Sequence, residues 1–146
     1  MRKSILAALL CTGLILHAGS ALALKEGKTT QGEPYVSGGV GAGEEEALVK
    51  QRGRYTLRVL TAASKSGAYL ADAAIRIVDT GGKAVLEATA DGPWLYVNLK
   101  PGDYKVNVSF GGQTKQQSTR IQPGDHHELF FYFDAPVERL PKDAKK

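Results

Sequence analysis

GPWLYVNLKPGDYKV, residues 92–106, decides the fold class of this chain. Trp94 and Tyr96 fall on one face of an extended segment, and Leu95, Val97 and Leu99 fall on the other. Side chains in a strand alternate between faces, so both faces of this segment are apolar. A Lys-Pro-Gly-Asp turn follows. Tyr104, Val106, Val108 and Phe110 then alternate with Lys105, Asn107 and Ser109, which predicts a second strand returning beside the first. Periodicity alone leaves open whether the aromatic pair or the aliphatic set of the first strand faces the core.

The same period of two extends in both directions. Upstream, Leu57 and Val59 alternate with Thr56 and Arg58, and Ala74-Ile75-Arg76-Ile77-Val78 makes a further strand. DTGGKA (residues 79–84) carries the Gly-Gly pair of a tight hairpin into Val85-Leu86-Glu87-Ala88-Thr89. Downstream, Gly111-Gly112 starts another hairpin into residues 115–121, QPGD turns the chain, and residues 127–133 end in Leu129-Phe130-Phe131-Tyr132-Phe133. Seven short strands with frequent turn signals predict a small antiparallel β-sandwich over residues 54–134. The last strand is apolar on both faces, so it is either central or part of an interface.

Residues 74–112 carry more than a period. Thr89, Asp91, Gly92, Trp94, Tyr96, Asn98, Leu99, Pro101, Gly102, Tyr104 and Val106 fall in order on the core motif of the carboxypeptidase regulatory-like, transthyretin-type domain, which this stretch resembles. The resemblance implies an all-β, transthyretin/prealbumin-like sandwich with Trp94 and Tyr96 inside it. It also implies a non-catalytic appendage rather than an enzyme. The wider arrangement is similar to small stand-alone exported bacterial proteins built on that domain.

Export is predicted independently. Arg2 and Lys3, an apolar run from Ile5 to about Leu16, and Ala21-Leu22-Ala23 make a secretory signal peptide over residues 1–23. The run is too short for the ~20 residues of a permanent membrane helix. Leu10 before Cys11 is too large for a lipid-attachment site. Cleavage leaves 123 of the 146 residues, no cysteine, and 17 basic against 15 acidic side chains. The expected location is the periplasm or the outside of the cell, with neither disulfides nor a thiolate site. A balance this close to neutral argues against nucleic acid, and no membrane span is expected in the mature chain.

Residues 24–53 are expected to form a polar lead-in followed by one short N-terminal helix. There Glu44, Glu45 and Glu46 precede Lys50 and Arg52, in the order a helix dipole favours. Residues 135–146 are expected to form a loose polar tail.

Chemistry-bearing residues are few. His126, His127 and Glu128 are the one polar cluster, but neighbours in an extended segment point to opposite faces and so do not converge on a metal. GGVGAGE (residues 38–44) has the glycines of a phosphate loop, yet places acids where phosphate would sit. Asp79, Asp91 and Asp103 suit turns better than calcium. No serine stands in an activating motif. Spaced histidines of the kind hydroxyisourate hydrolases and intradiol dioxygenases use are absent. The expectation is therefore a module without catalytic residues, metal or cofactor that contacts another protein through Trp94, Tyr96, Phe130 or Tyr132. The alternative is a carbohydrate-binding module that stacks sugar on Trp94 and Tyr96.

Overall fold

The computed structural model describes residues 24–135. The expected signal peptide, with Cys11, and all but the first residue of the expected polar tail lie outside the described residues. The strands are β1 (Lys25–Lys28), β2 (Pro34–Gly38), β3 (Leu57–Ala63), β4 (Ala74–Asp79), β5 (Ala84–Thr89), β6 (Trp94–Val97), β7 (Gly102–Phe110), β8 (Gln113–Ile121) and β9 (His127–Phe133). One helix, α1 (Ala42–Gln51), runs into a 3₁₀ turn over Arg52–Arg54. The sheets are β1-β2-β6-β3-β9 and β5-β4-β7-β8. They pack face to face around one core: Leu57, Val59, Leu95, Val97, Phe131 and Phe133 from the first meet Ile75, Ile77, Val85, Val106 and Val108 from the second.

Three expectations need correction. The described residues hold nine strands rather than seven, because the supposed lead-in contributes β1 and β2. β1 is short and charged, and in β2 the alternation is hidden by Ser37, a polar residue buried completely because its hydroxyl accepts from the Asp91 N–H at 3.2 Å. The sheet is not wholly antiparallel either, since β3 and β9 run parallel. Alternating side chains carry no information about strand direction. Finally, neither Trp94 nor Tyr96 enters the sandwich. Leu95 and Val97 fill the core, while Tyr96 lies on the opposite face with Val36, Leu48 and Tyr55 in a second cluster beneath α1.

Helix α1 has the predicted electrostatics. Glu44 and Glu45 occupy its first turn, and Glu46 pairs with Lys50 at 2.8 Å. Its single buried residue is Leu48, so one side chain anchors the helix to the sheet. Tyr104 closes the turn it follows by donating its hydroxyl to the Lys100 carbonyl at 2.7 Å.

The strand edges are treated differently. Thr30, in the β1–β2 turn, donates its N–H to the Val85 carbonyl and so covers part of β5. On β9, the N–H of His127 donates to the Thr56 carbonyl, and the N–H of Ser64 donates to the Phe133 carbonyl. Odd-numbered residues of β9 therefore pair with β3, and the backbone of Glu128, Phe130 and Tyr132 points to the free edge. Amide side chains of β8 guard that edge: Gln117 donates to the Phe130 carbonyl at 2.7 Å and Gln113 to the Asp134 carbonyl at 3.1 Å.

Candidate interaction face

The two outer faces of the sandwich differ in chemistry. On the four-stranded sheet, Arg76, Glu87, Asn107 and Gln116 lie in one row across the strands. Arg76 pairs with Glu87 at 2.7 Å, Ser109 with Thr114 at 2.8 Å, and Arg120 with Asp103 at 2.7 Å. A shallow cleft of about 550 Å³ over this face is lined by these partnered groups together with Ala74, Ile75 and Ala88.

The five-stranded sheet presents three rows outward. Tyr132, Ala62 and Tyr69 form the first, and Phe130, Leu60, Trp94 and Gly38 the second. Glu128, Arg58, Tyr96 and Val36 form the third. Among the described residues the large exposed hydrophobics are Val40 (59 %), Val49 (51 %), Tyr69 (51 %), Phe130 (41 %) and Tyr132 (46 %). All of them lie on this face, on α1, or on the segment leading into it. None lies on the four-stranded sheet. Scattered exposed side chains mean little, but three of these five, Tyr69, Phe130 and Tyr132, share the outer face of one sheet.

Packing holds the strip in shape. The Trp94 ring, partly exposed, meets Tyr96 at 5.7 Å and Phe130 at 6.5 Å, edge-to-face in both cases. Arg58, nearly buried, places its Nε 2.9 Å from Glu128 Oε1 and donates from Nη1 to the Arg52 carbonyl at 3.2 Å. This ties β9, β3 and the end of α1 together. Burial pushes the Tyr96 hydroxyl above its usual range, and the charges acting on it are Arg58, Glu128, Arg52 and Glu45.

Of the four aromatic residues singled out in the sequence, Trp94, Phe130 and Tyr132 are brought together here. Tyr96 is not available to a ligand: at 3 % exposure it is a structural contact for α1, because the helix sits on top of it. Tyr69 joins the strip unannounced. It sits in a loop of mixed composition and reaches the face only through its bridge to Ala62.

The histidines do not converge. His126 donates from Nδ1 to the Tyr55 carbonyl at 2.9 Å. His127 contacts Thr119 Oγ1 at 3.0 Å and Asp125 Oδ2 at 3.3 Å, while Glu128 is taken by Arg58. Among the described residues no three His, Cys, Asp or Glu side chains are grouped to hold a metal. Asp79 accepts from the N–H groups of Gly81 and Lys83, as a turn carboxylate does. The glycine-rich loop before α1 has its own anion: Glu44 Oε2 accepts from the N–H groups of Gly39 and Val40, both at 3.1 Å.

Against known proteins, no family model and no curated protein matches this chain. Among the described residues, no helix is long and apolar enough to cross a membrane.

Proposed function

We propose that this chain is an exported, non-catalytic binding or accessory module of the carboxypeptidase regulatory-like, transthyretin-type class. On this reading it works through protein–protein contacts made by the outer face of the five-stranded sheet. The observation carrying it is the segregation of exposed hydrophobics. Phe130 and Tyr132 stand half-exposed, whereas the opposite face carries no large exposed hydrophobic among the described residues, and each forgoes on the order of 1 kcal/mol of burial that a partner restores. Their aromatic character suits an interface core. The amide-guarded edge of β9 favours docking on the face over strand addition at the edge. Carbohydrate stacking fits less well. It wants open ring faces, whereas Tyr96 is covered and Trp94 is wedged between two neighbours.

The test is capture of envelope proteins by the purified protein and by two double variants. Phe130→Ser with Tyr132→Ser should lose the specific partner while melting close to the parent. Asn107→Ala with Gln116→Ala, on the polar face, should retain it. Equal recovery by both variants refutes the assignment of the face.

A further inference from the structure

Where α1 ends and the 3₁₀ turn carries the chain back toward β3, a cavity of about 510 Å³ opens between that end and the outer face of β1, β2 and β6. Its size lies within the range of small-ligand sites. One wall is the outward row of Lys28, Pro34 and Asn98, in which Lys28 is the register partner of Pro34 and the Asn98 N–H donates to the Pro34 carbonyl. Glu26 stands on the same face of β1, about 7 Å from Lys28 at the usual rise per residue. Gln51, Arg54 and Tyr55 line the other wall. Phe130 and Tyr132 belong to β9, at the opposite edge of the sheet.

Tyr55 gives the cavity its character. It is 7 % exposed, with its ring packed among Val36, Leu48 and Tyr96. Its backbone is satisfied, since the N–H donates to the Arg52 carbonyl and the carbonyl accepts from His126 Nδ1. Its hydroxyl bonds no other group among the described residues. Gln51 and Asn98 are half-buried, and their side-chain amides also find no partner there. Polar groups withdrawn from bulk water normally pair within the protein. Three that do not, gathered at one cavity, mark a place where a polar ligand supplies the partner. Burial raises the Tyr55 hydroxyl above its usual range, so it stays protonated and able to donate.

The charges around the cavity name the class of ligand. Neighbouring lysines are taken, Lys25 by Asp91 at 3.4 Å and Lys100 by Glu33 at 3.1 Å. Glu26, Lys28 and Arg54 form no ion pair among the described residues. Two available cations and one available carboxylate complement a molecule with two carboxylates and one ammonium. We propose that this cavity binds a small acidic zwitterion, either an amino acid or a short peptide with a free N-terminus. Its carboxylates lie at Arg54 and Lys28 and its ammonium at Glu26. The Tyr55 hydroxyl donates to the carboxylate beside Arg54, and the amides of Gln51 and Asn98, which both donate and accept, hold the rest.

The test is titration of the purified, isotope-labelled protein with L-glutamate and with glycyl-L-glutamate, followed by amide NMR shifts against sodium chloride at equal ionic strength. Saturable shifts at Gln51, Arg54 and Asn98, with affinity in the millimolar range or tighter, are expected. Tighter binding of glutamate assigns the site to free amino acids, and tighter binding of the dipeptide assigns it to peptides. N-acetyl-L-glutamate, which lacks the ammonium, should bind about tenfold more weakly. Tyr55→Phe removes only an unbonded hydroxyl, so it should melt like the parent yet bind about tenfold more weakly, and Arg54→Gln should lose at least as much. The site is overturned if neither ligand gives saturable shifts, if sodium chloride alone reproduces them, or if both variants bind like the parent. N-acetyl-L-glutamate binding as tightly as glutamate overturns the zwitterion.

Discussion

Gly92 packs against the backbone of Gly38 so closely that a Cβ on Gly92 would stand 2.2 Å from the Gly38 carbonyl oxygen and 2.3 Å from its carbonyl carbon. Backbone atoms on both sides leave nothing flexible to give way. This contact lets β2 end beside the start of β6, and it sets where the chain turns into α1.

Gly92→Ala should accordingly cost about 3 kcal/mol or more. Gly32→Ala is the control. Gly32 has φ +92° but open space around it, so its substitution should cost only about 1 kcal/mol. Urea denaturation of both variants measures the difference. A Gly92 variant as stable as the control contradicts the close approach.

Thr61 is buried in the middle of β3, and its hydroxyl has no hydrogen-bond partner. Exchanging that hydroxyl for a methyl of nearly the same shape removes an unmet polar group. Thr61→Val should therefore stabilise the fold by about 1 kcal/mol. An unchanged or lowered denaturation midpoint speaks against an unpartnered hydroxyl.

Glu33, nearly buried at the β1–β2 turn, is pulled two ways. Burial alone raises its pKa. The Thr29 hydroxyl, its own backbone N–H and Lys100 at 3.1 Å outweigh burial and hold the carboxyl below its ordinary range. A carboxyl with a lowered folded-state pKa contributes stability above its unfolded-state value, and that contribution is lost as pH falls through the folded-state value. Glu33→Gln should therefore be less stable than the parent at pH 7, and the gap should close below about pH 4. A gap independent of pH would assign the loss to packing instead.

Leu48 is the single buried side chain of α1. Leu48→Ala should cost about 2–3 kcal/mol. It should also loosen α1 from the sheet, so that hydrogen exchange rises in α1 and at Tyr96 while the sandwich core around Val106 stays protected. Exchange rising equally everywhere would show that the helix and the sandwich open as one unit.

Seven of the nine described strands follow from sequence because a half-buried strand must alternate and its turns need Gly, Pro or Asp. The charge order of α1 was legible for a similarly local reason. β1 and β2 escaped notice because their stability is not local. A short charged strand exists only where β2 is present to pair with it, and β2 hides its buried position behind Ser37. Periodicity placed Trp94 and Tyr96 opposite Leu95 and Val97, but it could not say which pair faced the core, since both sets are apolar. That depends on what covers each face. The second sheet covers Leu95 and Val97, and a helix some fifty residues earlier in the chain covers Tyr96. Likewise Phe130 and Tyr132 were conspicuous in sequence. Their exposure follows from β9 lying at the edge of its sheet, in parallel pairing with β3, and α1 stopping short of it. Alternation and turn chemistry are written in neighbouring residues. Strand order, strand direction and the half-covered face come from contacts between distant ones, which no local pattern encodes.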